Sequence, residues 1–229
     1  MAGVQALVFD FDGLIIDSEG PVYEAWQEVY EEHGEELSFS FWQSIIGRGS
    51  NWFDPLADLE RRLGRPLDGE AIRIARRVRV EELVGALPIL PGVEEWIESA
   101  KRRGLKLGVA SSSSRSWVVG HLERLGLGER WDTIRCRDDV ARAKPDPDLY
   151  LAAVRDLGVR PAEAVAVEDS PHGCLAAKRA GLYCVAVPSA LTSDLDFSSA
   201  DLRLRSLAEL PLDDFLARQD VRSRNARKT

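Results

Sequence analysis

Five short apolar runs recur along the chain, and each of them ends at polar or turn-forming residues. The clearest occupy residues 4–9, 105–110 and 164–167, and weaker ones occupy 131–136 and 182–187. Runs of this length that are apolar at nearly every position are typical of strands buried on both faces, as in a parallel sheet. The sequence therefore predicts five strands of such a sheet.

Apolar residues between these runs recur at spacings of three and four, which predicts amphipathic helices. Four such stretches cover residues 93–100, 117–125, 150–157 and 174–180. Strand and helix thus alternate from about residue 89 to 190. This alternation predicts an α/β fold, with a Rossmann-like parallel sheet whose strands are joined by crossover helices.

The stretch between the first strand and the rest of the sheet has helical periodicity and no convincing strand. We therefore expect residues 18–88 to form an all-helical insert, a domain of its own. The α/β core domain is then made of residues 1–17 and 89–217. Residues 218–229 hold five basic residues and almost no apolar ones, so they are expected to form a disordered basic tail.

Composition narrows the classes of function. Among 229 residues, 45% are hydrophobic and 30% are charged, which is the balance of a soluble globular protein. The net charge of -8 argues against a surface built to hold nucleic-acid phosphates. Three cysteines without a CxxC pair suit a reducing compartment, and no apolar run approaches the roughly 18 residues of a membrane span. We expect a cytoplasmic protein, a monomer or weak dimer, that binds neither nucleic acid nor membrane.

Chemically capable side chains follow three of the predicted strands. Asp10 and Asp12 come directly after the first clear run, Ser111 after the second, and Glu168 with Asp169 after the third. In an open parallel sheet, ligands bind at the carboxyl ends of the strands. If these strands are neighbours, the carboxylates and the hydroxyl meet at one edge of the sheet.

Lys144 stands in a loop after a fourth strand and supplies a positive charge for the same edge. The clustered carboxylates would repel one another unless a cation lay among them, and oxygen ligands with room for waters suit Mg²⁺. The cation and Lys144 together would attract a dianion. The simplest such ligand is a small-molecule phosphate monoester, so phosphate-ester chemistry is the first functional hypothesis.

With these motifs in this order, the sequence resembles the haloacid dehalogenase-like (HAD) phosphohydrolases. The similarity spans residues 4–188 and points to the helical-capped subgroup that includes β-phosphoglucomutases and sugar-phosphate phosphatases. Its motifs are DFDGLIIDSE at 10–19, Ser111 after a strand, KP at 144–145 and EDS at 168–170. The resemblance implies that the helical insert is a cap, which closes over the site and reads the leaving group.

The resemblance also implies roles for the carboxylates. Asp10 is similar to the nucleophile that attacks phosphorus and becomes an aspartyl phosphate. Asp12 is similar to the acid/base that protonates the leaving oxygen. Mg²⁺ would be held by a carboxylate oxygen of Asp10, the main-chain carbonyl of Asp12, and Asp169, with Glu168 nearby or acting through water.

Other residues would contact the phosphoryl group or the rest of the substrate. By the same resemblance, Lys144 would offset the phosphoryl charge and Ser111 would orient the group, while Gly13 would let the backbone approach it. Ser112 and Arg115 are further substrate-binding candidates. Any of the serines before Arg115 could instead cap the helix that follows.

Arg48 is the substrate-binding candidate of the helical insert. It lies between glycines in the loop 46–51, where it could bind an anionic or hydroxylated leaving group. The alternative is a solvated arginine in a helix–helix turn. His172 follows the EDS motif, and we interpret it as a surface residue at a helix start rather than a metal ligand.

The insert also bears on the choice between hydrolysis and transfer of the phosphoryl group back to a sugar. The mutases to which the sequence is similar have an Arg near the position of Ser50 and a His near that of Val22, and this chain has neither. We therefore predict a Mg²⁺-dependent phosphatase that acts on a sugar or polyol phosphate. The alternatives are a β-phosphoglucomutase-like sugar phosphomutase, a binding module without turnover, and a glycosyltransferase. Dehalogenation is disfavoured because that branch lacks the second catalytic Asp.

Overall fold

A parallel sheet with helices between its strands forms the core of the structure, a computed structural model that describes residues 3–48 and 52–226, the last seven by their backbone alone. Within these residues the sheet has six strands in the order β3-β2-β1-β4-β5-β6, and every pairing is parallel. The predicted α/β fold with a Rossmann-like sheet is thereby confirmed. The strands are β1 (Ala6–Phe9), β2 (Lys106–Ala110), β3 (Thr133–Arg135), β4 (Ala164–Glu168), β5 (Tyr183–Ala186) and β6 (Leu202–Arg203).

All five predicted strands are present, whereas the sixth, β6, was not predicted. It consists of two residues at the edge of the sheet, and it pairs with Val185 and Ala186 of β5. Such a strand contains no apolar run, so its pairing partner alone defines it.

The helices of the core connect the strands as the periodicity predicts. The helices of the described residues are α1 (Glu19–Glu32), α2 (Phe39–Ile45), α3 (Pro55–Leu63), α4 (Gly69–Gly85), α5 (Val93–Arg102), α6 (Arg115–Arg124), α7 (Asp148–Leu157), α8 (Pro171–Arg179) and α9 (Leu212–Ala226), with short 3-10 helices at Gly128–Arg130, Arg137–Asp139, Pro161–Glu163 and Leu207–Glu209. No described helix is long and apolar enough to cross a membrane.

Helix α9 runs on through residues 218–226, the first part of the stretch for which a disordered basic tail is expected. The start of this helix is anchored by the buried Leu212 and Phe215. The basic residues that follow are good helix formers, and neither Gly nor Pro interrupts them. Low hydrophobicity alone therefore did not end the helix. Residues 227–229 lie outside the described part of the chain.

The sheet separates two layers of the hydrophobic core. Along β1, Leu7 and Phe9 pack on one face, and Ala6 and Val8 pack on the other, as the two-residue period of a strand requires. The helices α5, α6 and α9 contribute to the first layer, and α7 with α8 to the second. Burial on both faces explains why β1 is apolar throughout.

Helices α1 to α3 pack around a further hydrophobic cluster, and Ile72 of α4 packs against it, whereas the buried Val80 and Val84 of α4 belong to the first layer of the core. The described residues between β1 and α5 form no strand of the sheet. Trp26, Tyr30 and Trp42 are the largest buried side chains of the further cluster. Burying such side chains contributes about 1.5–3 kcal/mol each, which stabilises the insert beside the sheet. A spacing of three and four between Trp26, Val29 and Tyr30 directs these residues to one face of α1.

Candidate active site

The carboxyl ends of β2, β1 and β4 lie side by side, because these strands are neighbours in the sheet. Asp10 follows β1, Ser111 follows β2, and Glu168 ends β4 with Asp169 next. The backbone N–H of Asp10 donates to the carbonyl of Val167 (2.9 Å) and fixes it at this edge. The side chains of all four polar residues are buried. The structure thus brings the predicted strand-end residues together.

Lys144 reaches the same group from the loop before α7. Its ammonium nitrogen is 2.7 Å from Oδ1 of Asp10 and 2.7 Å from Oε1 of Glu168, and its side chain is 1% exposed. Burial by itself lowers the pKa of Lys144, but the two carboxylates outweigh burial and raise this pKa above its usual value. Lys144 is therefore a fixed cation beside the predicted nucleophile.

Both oxygens of Glu168 accept hydrogen bonds from protein donors. The hydroxyl of the buried Tyr150, on α7, donates to Oε1, which also contacts Lys144. The hydroxyl of Ser170 donates to Oε2 (3.3 Å). A Cβ at Gly173 would overlap this carboxylate, so glycine is required there. Glu168 is therefore held as the counter-ion of Lys144.

Asp169 has a buried carboxylate oxygen, Oδ2, with no hydrogen-bond partner in the described chain. Carboxylate oxygens of Asp10, Glu168 and Asp169 lie within 4.8 Å of one another. Burial and the neighbouring carboxylates raise the pKa of Asp10 to about 7 and that of Asp169 well above its usual value. A divalent cation would relieve this repulsion and satisfy the free oxygen, so these residues fit the Mg²⁺ that the sequence predicts.

Gly13 makes room for the Asp169 carboxylate. Its φ of +77° is in the left-handed region, and a Cβ there would overlap Oδ2 of Asp169. Its own N–H donates to the carbonyl of Ile16 (2.8 Å). The structure therefore explains the glycine at position 13 by its contact with Asp169, whereas the resemblance predicts a close approach to a phosphoryl group.

The Asp12 carboxylate is oriented by three neutral donors. Its Oδ1 accepts from the hydroxyl of Ser18 (2.6 Å) and from the indole N–H of Trp117 (2.8 Å), and its Oδ2 accepts from the hydroxyl of Ser113 (2.6 Å). None of these donors was predicted as a site residue. Trp117 could have been predicted, because the indole N–H of a buried Trp usually donates to a polar partner and Trp117 lies at the start of α6.

Ser111 and Ser112 both line the cavity described below. The Ser111 hydroxyl lies 3.5 Å from Oδ2 of Asp12 and accepts from the N–H of Ser113 (3.0 Å). The Ser112 hydroxyl donates to the carbonyl of Gly47 in the insert (3.3 Å). Ser111 thus faces the acid/base candidate, whereas Ser112 contacts the insert.

Arg115 is the predicted substrate ligand that the structure places elsewhere. The side chain of Ser114 caps α6 by accepting from the N–H of Trp117. Arg115 is therefore the first helical residue, and its guanidinium donates to the carbonyl of Ile134 (2.9 Å) and pairs with Asp139 (2.6 Å). These contacts engage its guanidinium, and Arg115 is not among the described residues that line the cavity.

A cavity of about 980 Å³ lies between the strand ends and the helical insert. Asp10, Asp12 and Lys144 line it from the core, and Arg48 lines it from the insert. The guanidinium of Arg48 lies 3.6 Å from the ring centroid of Trp52, a cation–π contact. Of the predicted loop, residues 49–51 lie outside the described part of the chain.

Sequence reasoning missed several basic residues of this cavity. The guanidinium of Arg76 lies 4.9 Å from the ring centroid of Trp26, and its buried Nε has no hydrogen-bond partner in the described chain. In sequence this part of α4 looks like a solvated helix face. The other basic residues that line the cavity are Arg77, His121, Arg124 and Arg137.

A family model described as haloacid dehalogenase-like hydrolase matches residues 4–181. The chain belongs to this family, as the sequence motifs predict. YhcW of Bacillus subtilis is 46% identical over 209 residues, which cover 91% of this chain and 94% of that protein. Hexitol phosphatase B of Escherichia coli is 32% identical over 217 residues, which cover 93% and 97% of the two chains.

The fold is also similar to solved structures. The crystal structure of CbbY from Rhodobacter sphaeroides in complex with phosphate matches with a TM-score of 0.76 and 32% identity, covering 90% of this chain and 96% of that one. The family match and the relatives that are named as phosphatases identify the chain as a phosphatase.

Proposed function

We propose that this phosphatase hydrolyses a small phosphate monoester of a sugar or polyol, with Mg²⁺ and an aspartyl phosphate on Asp10. The contact of Asp10 with the buried Lys144 (2.7 Å) at the lining of the cavity carries the proposal. A carboxylate beside a fixed cation can attack a phosphoryl group, because the cation offsets the charge on the phosphoryl oxygens. The name of hexitol phosphatase B supports a polyol or sugar leaving group.

The residues supply a balanced two-step reaction. An oxygen of Asp10 forms a bond to phosphorus while the ester P–O bond breaks, and Asp12 gives its proton to the departing oxygen. Asp12 then takes a proton from water, whose oxygen attacks phosphorus as the bond between phosphorus and Asp10 breaks. The products are the free alcohol and inorganic phosphate, and both carboxyl groups return to their starting states.

Mg²⁺ would be held by carboxylate oxygens of Asp10 and Asp169 and by the main-chain carbonyl of Asp12, with Glu168 beside it. When bound, it supplies positive charge for the phosphoryl oxygens. Lys144 supplies the second positive charge, and its ion pairs hold it in place before substrate arrives. Ser111 orients the phosphoryl group from the end of β2.

The helical insert, residues 18–88, serves in this proposal as a cap on a core domain of residues 1–17 and 89–217. The cavity between the two supports this role, because the catalytic side chains line one side and insert residues the other. A closed cap would exclude bulk water while the phosphoryl group is transferred. Arg48 would bind the leaving group.

The proposed setting is the cytoplasm, with a free small molecule as substrate and the enzyme as a monomer or weak dimer. The three cysteines are free and buried, which supports a reducing compartment. The net charge of -8 supports a small substrate rather than nucleic acid.

Release of inorganic phosphate from a panel of sugar, polyol and nucleotide monophosphates tests the proposed function. We expect release with Mg²⁺, none with EDTA, and none from Asp10→Asn, because an amide is a poor nucleophile and a poor ligand. Asp156→Asn is the matched control, since Asp156 pairs with Arg135 away from the cavity. Normal turnover by folded Asp10→Asn contradicts the nucleophile, and isomerised sugar phosphate without release contradicts hydrolysis.

A further inference from the structure

The loop after α2 is held on the core by His172, the second residue of α8. Its Nδ1 is 3.0 Å from the carbonyl oxygen of Ile46, and its Nε2 is 2.7 Å from Nε of Arg48. The guanidinium can only donate, so Nε2 must accept. Nδ1 then carries the proton and donates to Ile46. The ring is therefore neutral, and each of its nitrogens has a hydrogen-bond partner in the insert. His172 is half-buried at the start of α8, whereas the sequence suggests a surface residue there.

The intervening residue of the loop also lies against the core. Gly47 has a φ of +80°, and a Cβ there would overlap the hydroxyl of Ser170. Its carbonyl accepts from the hydroxyl of Ser112 (3.3 Å). The loop therefore contacts the segments that follow β2 and β4, and His172 supplies two of the hydrogen bonds.

This docking fixes the direction of Arg48. Its Nε donates a hydrogen bond to His172, and its guanidinium carbon lies 3.6 Å from the ring centroid of Trp52. Within residues 3–48 and 52–219, its two terminal nitrogens have no hydrogen-bond or ion-pair partner. Because Arg48 lines the cavity, these nitrogens are the donors that remain for a ligand.

We propose that His172 is a positioning residue, whose neutral ring docks residues 46–48 on the core and aims the terminal nitrogens of Arg48 at the leaving group of the substrate. The part of this proposal that concerns the leaving group rests on the proposed function. The docking itself rests only on the contacts of His172 and Gly47.

Protonation of His172 would undo this arrangement. Nε2 would become a donor that faces the donor of Arg48, and two cations would lie side by side. The charged groups that act on the ring are Arg48 from the insert and Glu168 from β4. Burial is the larger influence and, with Arg48, it keeps the pKa of His172 below its usual value.

Three variants separate positioning from a merely structural role. His172→Gln keeps a donor and an acceptor and cannot be protonated, whereas His172→Phe keeps neither. We expect about a tenfold rise in KM for His172→Phe with little change in kcat, because one charge-assisted hydrogen bond is lost. His172→Gln should stay near the wild type. His33→Gln is the control, since His33 also bonds a backbone carbonyl, that of Val29, but lies outside the cavity lining.

The pH profile and a double variant sharpen the test. Between pH 8 and 5, the KM ratio of wild type to His172→Gln should rise, because only wild type loses its acceptor. Arg48→Ala combined with His172→Phe should be no worse than Arg48→Ala alone if His172 acts through Arg48. Additive effects in the double variant would overturn the proposal.

Hydrogen exchange of the peptide 41–48 reads the docking without any substrate. We expect faster exchange in His172→Phe and unchanged exchange in His172→Gln and His33→Gln. Unchanged exchange in His172→Phe contradicts the docking, whatever the activity. Faster exchange in a protein that hydrolyses nothing on the panel supports the docking and counts against the proposed function alone.

Discussion

The helical insert and the core each bury carboxylates, and they balance the charge differently. In the insert, Asp58 is 7% exposed and pairs with Arg61 and Arg62. It also accepts from the hydroxyl of Tyr30 (2.9 Å). One carboxylate thus has two cations and a neutral donor, so nothing further is needed to satisfy it.

At the strand ends of the core, the buried carboxylates of Asp10, Glu168 and Asp169 surround one cation of the described residues, the ammonium of Lys144. Tyr150 donates to Glu168 much as Tyr30 donates to Asp58. One oxygen of Asp169 nevertheless has no partner in the described chain. The difference shows that burial alone does not mark a site. An excess of buried negative charge is the better mark of a site, because a bound cation would offset it.

Removal of the ammonium of Lys144, which pairs with Asp10 and Glu168, should have the strongest effect. Lys144→Met should lower activity about 10²–10³-fold and lower the free energy of unfolding by about 3–5 kcal/mol, because it leaves buried carboxylates unpaired. Phosphate release and urea unfolding measure the two effects. Lys178→Met, which removes an exposed pair with Asp201, should change neither. Full activity in Lys144→Met would refute the role of this cation.

Asp58→Asn should affect stability and not catalysis. Loss of the charge leaves Arg62 and the Tyr30 hydroxyl less well satisfied, which we expect to cost about 2–3 kcal/mol of unfolding free energy. The value of kcat, measured at a temperature where the variant is folded, should match the wild type. A large drop in kcat would show that Asp58 and its partners in the insert affect the active site.

The pH dependence of stability should differ with and without Mg²⁺. The folded pKa of Asp10, about 7, is above its usual 3.8, so Asp10 stabilises the fold fully below about pH 4 and this contribution is lost as pH rises through 7. In EDTA, the contribution of Asp10 should make the free energy of unfolding on the order of 2 kcal/mol smaller at pH 8 than at pH 5. Mg²⁺ should reverse the loss at pH 8. Identical profiles in urea titrations with EDTA and with Mg²⁺ would contradict a metal site.

The smallest effects should come from the two tyrosine hydroxyls. Tyr150→Phe and Tyr30→Phe should each lower the unfolding free energy by about 1 kcal/mol, because each removes one hydrogen bond to a carboxylate. Only Tyr150→Phe should also lower kcat, since Glu168, unlike Asp58, contacts Lys144. Equal kcat values for the two variants would mean that the Tyr150 hydroxyl has a structural role alone.

Local patterns were sufficient to predict most of the fold. A strand that is buried on both faces must be apolar throughout, so β1, β2 and β4 stand out in the sequence. The strand β6 does not, because two residues at a sheet edge form no pattern without β5. The basic end of α9 also has no such pattern, since residues that lack apolar periodicity can still extend a helix that is anchored earlier.

The residues at the strand ends can be identified from sequence, because the pattern that ends a strand is local. The partners that these residues meet depend on the packing of the folded chain. Lys144 lies between Asp10 and Glu168, and Arg48 meets His172, through contacts that join residues 24 to 134 positions apart. Those contacts depend on how distant elements pack, and packing follows from the burial of the whole core, which no single stretch of sequence encodes.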